Sequence, residues 1–93
     1  MLWKNKMTKF IVNFEVKDWH HWKKSFDAHN EPRSNAGIKV VYAGHELENE
    51  KKVHVIMDAE SPETLKKFME ENKDEINNSG HIQETTNVAV CTD

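Results

Sequence analysis

The sequence predicts an α+β fold in which two helices cover one face of a four-stranded antiparallel sheet. Apolar residues alternate with a period of two in four segments, as in strands. Two further segments carry helical stripes that begin at good N-cap residues. These six segments follow the order strand, helix, strand, strand, helix, strand along the 93 residues, a length that allows a two-layer core.

The first strand is predicted within residues 9–16, where apolar side chains occupy every second position. The residues of this apolar face are Phe10, Val12, Phe14 and Val16. Residues 1–8 show no such period, so we expect them to form an N-terminal extension, followed by one domain over residues 9–93.

The first helix carries an aromatic stripe that ends in a histidine and an arginine. At ~100° per residue, five side chains fall within an arc of ~80°. They are Trp19, Trp22, Phe26, His29 and Arg33.

Both ends of this helix have recognisable signals. Asp18 is a good N-cap, because its carboxylate can accept from backbone N–H groups of the first turn. Pro32 lacks an N–H and crowds the preceding turn, which predicts a kink or break near His29. After such a break Arg33 need not share a face with His29. Gly37 then supplies the turn into the next strand.

The second and third strands are predicted to form a hairpin. Ile38, Val40 and Tyr42 alternate on one face of the second strand. The polar residues 48–52 are short enough for a hairpin loop, and the third strand follows over residues 53–58.

The second helix begins with Ser61 as N-cap and Pro62 at the first helical position. Its buried stripe consists of Leu65, Phe68 and Met69. Residues 73–80 extend this helix or form a short extra one, and the fourth strand is expected over residues 84–91.

This order of elements, with right-handed connections, gives the ferredoxin-like arrangement of two interleaved β-α-β units. The second face of the sheet is also partly apolar, since Ile11 and Ile56 lie on it. A second sheet would cover that face. We therefore expect a homodimer through sheet-to-sheet packing.

Composition excludes several classes of function. The net charge is −3 and there is no basic block, so we expect no nucleic-acid partner. No apolar run approaches the length of a membrane span, so we expect no membrane partner. Cys91 is the only cysteine and cannot form an internal disulfide, which favours a reducing compartment and hence the cytoplasm.

The sequence resembles the dimeric α+β barrel superfamily over roughly residues 9–91. The resemblance rests on the run VKDWHHWKKSFDAHNEPRSNAGI, on VHVIMDAESPETLKKFM and on the NSGHI segment. More narrowly, the chain is similar to small cyclase-like and antibiotic-biosynthesis-monooxygenase-like proteins of poorly defined activity. The positions that match their first helix are Asp18, Trp19, Trp22, Phe26, Asp27, His29, Arg33 and Gly37.

This resemblance implies a dimer with a ligand pocket between the sheet and the helices of each subunit. The superfamily includes cofactor-free monooxygenases, haem-degrading enzymes, lactone isomerases, polyketide cyclases and members with no known reaction. Membership therefore fixes the fold far better than the function.

His29 and Arg33 are the candidate catalytic residues. A neutral imidazole beside an aromatic pocket could remove a proton from an acidic phenol or enol, while the guanidinium holds the oxyanion. The alternative is structural: Arg33 pairs with Asp27 or Glu31 at a helix end, and His29 is half exposed.

The candidate substrate-binding residues surround the same predicted pocket. Trp22 and Phe26 could form a flat wall for an aromatic ligand, or they could be ordinary core. Phe14 and Tyr42 complete the aromatic set. Asn13 could orient a carbonyl or oxygen. Because Asn13 and Phe14 are neighbours in a strand and point to opposite faces, at most one of them faces the pocket. The alternative role for Asn13 is a hydrogen bond at the dimer interface.

We expect no metal and no cofactor. His20 and His21 project ~100° apart on a helix and cannot easily share one ion. His29 and His81 are the only candidates for an axial haem ligand.

Two hypotheses about function remain open. The first is a small cofactor-independent enzyme, of the monooxygenase, isomerase or cyclase type, that acts on a hydrophobic or aromatic small molecule between helix one and the sheet. The second is a non-catalytic dimeric module for small-molecule binding or stress, with a filled pocket.

Overall fold

The computed structural model describes residues 7–92 and contains four strands and four helices in that range. The elements are β1 (Thr8–Val16), α1 (Trp19–Ala28), α2 (Asn30–Asn35), β2 (Lys39–Glu46), β3 (Asn49–Ala59), α3 (Pro62–Glu71), α4 (Lys73–Asn78) and β4 (His81–Cys91). Most of the expected N-terminal extension, residues 1–6, lies outside the described residues.

The four strands form one antiparallel sheet in the order β2-β3-β1-β4. The two central strands, β1 and β3, each present alternate residues to the helices and bury them, because the helices cover only one face. This arrangement confirms the predicted ferredoxin-like α+β fold. The buried core consists of Phe10, Val12, Phe14, Val16, Trp22, Ile38, Val53, Val55, Met57, Ala59 and Phe68.

The predicted helix break near His29 is confirmed. The Asp18 side chain accepts a 2.8 Å hydrogen bond from the His21 backbone N–H, and α1 then runs to Ala28. His29 lies between α1 and α2, and Pro32 sits in the first turns of α2, where its missing N–H costs no helical hydrogen bond. The break turns the chain so that residues after it still reach the sheet.

The predicted alternation of β2 is wrong at Tyr42. Val40 pairs with Met57, whereas Tyr42 pairs with Ile56, so one extra residue, Val41, is inserted between them. This β-bulge shifts the pairing of Tyr42 to His45 by one position. Tyr42 therefore lies on the open face of the sheet, half exposed, rather than beside Val40 on the helix side.

The hairpin between β2 and β3 is tighter than predicted. β3 begins at Asn49, so the expected polar loop over residues 48–52 is reduced to a turn at Leu47 and Glu48. Glu46 pairs with Asn49 beside this turn, and the register then shifts so that His45 pairs with Val53 and the polar residues 50–52 have no partners in β2.

At the other end of the chain, residues 73–78 form the separate short helix α4. Gly80 has a positive φ of 89° and ends this helical region. β4 then begins at His81, three positions before the predicted start at Glu84. Within residues 7–92, no helix has the length and apolar character needed to cross a membrane.

Candidate functional site

A cavity of about 100 Å³ lies between the helices and the sheet. It is partly open to solvent, and apolar side chains make up most of its surface. The sheet contributes its floor, while α1 and α3 contribute its sides. These apolar lining residues are Val12, Phe14, Val55, Met57 and Val88 from the strands and Trp22, Phe26, Leu65, Phe68, Met69 and Ile76 from the helices.

The aromatic side of the cavity is held rigidly. The Trp22 and Phe26 rings stack with centroids 4.7 Å apart and planes inclined by 25°. The Phe14 ring meets Trp22 edge to face at 5.5 Å. Because Trp22 is 3% exposed and is held by Phe26 and Phe14, these rings form a rigid apolar wall of the cavity.

His29 lines the cavity with a defined tautomer. Its Nδ1–H donates to the Ser25 carbonyl oxygen at 2.9 Å. This bond forms because His29 follows the end of α1, where the last carbonyl groups of a helix lack helical partners. In the neutral imidazole the lone pair is then on Nε2. His29 can thus accept a proton on that atom.

Arg33 is almost fully buried, with 5% exposure, and lines the same cavity. Its Nη2 donates to the Phe26 carbonyl oxygen, and its guanidinium carbon lies 3.7 Å from the centroid of the Phe26 ring. Its Nε is buried and has no hydrogen-bond partner in residues 7–92. Burial lowers the pKa of the Arg33 guanidinium, and the charge of Asp27 opposes that shift.

The sequence alternative in which Arg33 forms an ion pair with Asp27 or Glu31 is not what the structure shows. Asp27 is bound by Lys23, whose Nζ lies 2.7 Å from one carboxylate oxygen and 2.9 Å from the other. Within the described range, Arg33 makes no ion pair. The buried guanidinium therefore lacks a carboxylate partner.

His81 is a site residue that the sequence analysis considered only as a haem ligand. Its imidazole stacks on Phe14, shares a 2.7 Å hydrogen bond between Nε2 and Thr86 Oγ1, and lines the cavity. Burial lowers its pKa to about 4, because the charged form is poorly solvated there. The imidazole is neutral at neutral pH.

Three more polar residues line the cavity from the α3 and α4 side. Asn72 Nδ2 donates to the Phe68 carbonyl oxygen at 2.9 Å, which leaves its Oδ1 available as an acceptor. Ser79 Oγ donates to the Ile76 carbonyl oxygen at 2.5 Å. Glu75 is exposed, so its carboxylate remains in contact with water.

Five of the seven residues that the sequence predicts for the site line this one cavity: Phe14, Trp22, Phe26, His29 and Arg33. Asn13 and Tyr42 do not. They lie on the open face of the sheet, where Asn13 Oδ1 accepts from Asn87 Nδ2 at 3.2 Å across to β4. Neighbouring residues of a strand point to opposite faces, so Asn13 faces away from the cavity that Phe14 lines.

The structure is similar to several solved structures with low sequence identity. An antibiotic biosynthesis monooxygenase-like protein from Bordetella bronchiseptica superposes with a TM-score of 0.76 at 12% identity, over 96% of this chain and 98% of that one. A second antibiotic biosynthesis monooxygenase-like protein, from Nitrosomonas europaea, gives a TM-score of 0.69 at 10% identity, over 94% and 89%. A dimeric ferredoxin-like protein from an uncultured marine organism gives 0.56 at 10% identity, over 97% and 90%.

At these identities the likeness establishes the fold and leaves the activity open. No curated protein sequence matches this chain. A family model described as a domain of unknown function, DUF3764, matches residues 7–93. This match covers the whole sheet and all four helices, and the chain therefore belongs to the DUF3764 family.

Proposed function

We propose that this protein is a small cofactor-independent enzyme that removes a proton from a hydrophobic or aromatic small molecule bound between α1 and the sheet. One observation carries the proposal: an aromatic-walled cavity also holds an imidazole with a free Nε2 and a buried guanidinium. Apolar pockets with a few convergent polar groups are the usual form of a small-molecule site.

His29 is the proposed general base. The bond from Nδ1–H to Ser25 orients the ring and presents the Nε2 lone pair, as a proton acceptor requires. His81 is assigned a different role. A base whose conjugate acid has a pKa of about 4 is weak at neutral pH, so His81, held by Thr86, orients the substrate through hydrogen bonding.

Arg33 is the proposed anion-stabilising group. Loss of a proton from a substrate C–H or O–H leaves an enolate or phenolate, and the proton moves to His29 Nε2. A guanidinium that is already buried beside the site stabilises this anion without reorganisation. Its stack on Phe26 holds it in place.

The anion is common to the three reaction types that remain open. It can react with dioxygen in a monooxygenase, take up a proton at another atom in an isomerase, or attack a carbonyl in a cyclase. The names of the two monooxygenase-like neighbours favour the first of these. The proposed compartment is the cytoplasm, since the lone Cys91 suits reducing conditions.

The proposed assembly is a homodimer in which the open faces of two sheets pack together. Ile11 is 43% exposed and Tyr42 is 51% exposed on this face, with Ile56 between them on β3. The dimeric ferredoxin-like neighbour supports this arrangement. Contiguous exposed apolar surface of this kind is typical of association sites.

A second candidate function is non-catalytic binding of a small molecule. The observation that favours it is the modest cavity volume of about 100 Å³, since Trp22 and Phe68 occupy much of the space between helix and sheet. In that case the polar groups fix a ligand and no bond changes.

Deuterium exchange separates the two candidates. 1,3-Dicarbonyl compounds are incubated with the protein in D₂O, and loss of their acidic C–H signal is followed by NMR, while dioxygen uptake is measured with these compounds and with small phenols. Catalysed exchange that falls by about 100-fold or more in His29→Ala supports the enzyme. His20→Ala, on the exposed side of α1, is the matched control. Exchange that is equal in the wild type and His29→Ala would overturn the proposed base.

A further inference from the structure

We infer that the ligand of this cavity is a compact anion: an apolar body no larger than one six-membered ring, carrying an anionic oxygen that binds Arg33. This inference rests on the proposed function for its location and adds the charge and the size of the molecule. Two independent features of the cavity carry it, the unpaired guanidinium and the available volume.

The first feature is an unbalanced positive charge. Arg33 is 5% exposed, yet within the part of the chain that the structure describes its Nη2 donates one hydrogen bond and its buried Nε donates none. A buried charge without a counter-ion is strongly disfavoured, and a buried donor without an acceptor adds to the cost. An anionic oxygen on the guanidinium would supply the missing negative charge.

Among residues 7–92, no other group at the cavity supplies the missing negative charge. Asp27 is engaged with Lys23 and its side chain is 59% exposed. Glu75 lines the cavity from α4 but is exposed to water. His81 is neutral, so it neither neutralises nor competes with Arg33.

The second feature is size. A dry cavity of about 150 Å³ accommodates benzene in an engineered protein, whereas this one measures about 100 Å³. A single ring can enter because the cavity is partly open and Met69, a flexible side chain, lines it. A fused two-ring or three-ring body exceeds this volume, and the closely packed floor around Phe14 and Val55, which are buried in the sheet, does not yield to it.

The position of the anionic oxygen follows from the same walls. The Phe26 ring is covered by the Arg33 guanidinium on one side and stacked with Trp22. Arg33 and Phe26 therefore lie together at the cavity, and a bound ligand directs its anionic group towards the guanidinium. A carboxylate on the ring and the anion of an acidic ring hydroxyl present the same chemistry to the guanidinium, and the test distinguishes them.

The test is a binding comparison that needs no turnover. Benzoate, its neutral analogue benzyl alcohol, 4-nitrophenolate and 2-naphthoate are titrated into the 93-residue protein by calorimetry at pH 8. The Arg33 Nε–H resonance is followed by NMR. We expect benzoate or 4-nitrophenolate to bind at least about tenfold more tightly than benzyl alcohol, and to shift that resonance. The tighter of the two identifies a carboxylate or a ring hydroxyl.

Two variants keep the test specific. Arg33→Gln should abolish the preference for the anion. Lys23→Gln, which removes the cation of α1 that pairs with Asp27, should preserve it. Because Arg33 also supports Phe26, the wild-type comparison of benzoate with benzyl alcohol decides the question even if Arg33→Gln fails to fold. Equal affinities, or tighter binding of 2-naphthoate than of benzoate, would overturn the inference.

Failure of this inference and failure of the proposed function give different results. If the protein prefers the anion but deuterium exchange does not depend on His29, the inference is supported and the non-catalytic binding module is favoured. Catalysed exchange that depends on His29, with no preference for the anion, supports the proposed enzyme and overturns the inference that the ligand is a compact anion.

Discussion

The His81 imidazole lies parallel to the Phe14 ring, with centroids 3.8 Å apart and planes 11° apart. Phe14 belongs to a central strand and His81 begins the neighbouring edge strand, so the sheet itself sets this stack. Thr86 fixes the imidazole edge. A strand-borne histidine held in this way adds a polar group to an apolar cavity without adding charge.

The first prediction concerns acid stability. The pKa of His81 is about 4 in the folded protein and near 6.5 when the chain is unfolded, so the unfolded state binds more protons between these values. The free energy of unfolding should therefore fall as pH drops from about 6.5 to about 4, by at most about 3 kcal/mol from this group. Urea denaturation at pH 7.5 and pH 4.5 measures it.

His81→Phe is the control for that prediction, because carboxylates also titrate in this range. The variant keeps the aromatic stack on Phe14 and loses the titrating group. Its stability should fall less between the two pH values than that of the wild type. An identical fall in both proteins would show that His81 does not contribute.

The second prediction tests the bond between His81 and Thr86. Thr86→Val removes the hydroxyl with little change of shape and leaves Nε2 of a buried imidazole without its partner, so we expect a loss of about 1 to 3 kcal/mol at pH 7.5. Thermal or urea unfolding measures the loss. In a double-mutant cycle with His81→Phe the two effects should not add; additive losses would mean that the bond has no stabilising role.

Much of this fold could be read from local patterns. The break at His29 follows from Pro32, and the start of α1 follows from Asp18, because both signals act within a few residues. Likewise, the stripe of Trp22 and Phe26 identified one side of the cavity. Residues close together on one helix keep their relation whatever the rest of the chain does.

The features that the sequence did not reveal depend on partners far away in the chain. The bulge that moves Tyr42 to the open face is defined by its register against β3, which alternation within β2 cannot show. His81 becomes a cavity residue only because β4 pairs with β1 beside Phe14. Simple alternation would put His81 opposite Val88, which is seven positions away, and only the register shift of β4 against β1 brings both to the cavity.

The third prediction separates the roles of two cations. Arg33→Lys keeps a positive charge but loses the flat stack on Phe26 and the fixed bond to its carbonyl, so the free energy of unfolding should fall by about 1 to 3 kcal/mol. Lys23→Gln breaks an exposed helical ion pair, which is typically worth about 0.5 kcal/mol or less. Equal losses, measured by urea denaturation at pH 7.5, would contradict the buried role of Arg33.

The fourth prediction concerns assembly. Ile56 lies at the centre of the open face, flanked by Ile11 on β1 and Tyr42 on β2, so a charge there would be buried between two sheets in the proposed dimer. We expect the wild type to elute as a dimer at micromolar concentration and Ile56→Lys as a folded monomer, as judged by light scattering and circular dichroism. The control is Leu47→Lys, in the turn after β2, where the side chain is 94% exposed and the charge should leave the dimer intact. Ile56 points away from the cavity, so a monomeric Ile56→Lys that still binds benzoate would also show that each subunit carries a complete site. A dimeric Ile56→Lys would contradict the prediction and place the interface on another surface.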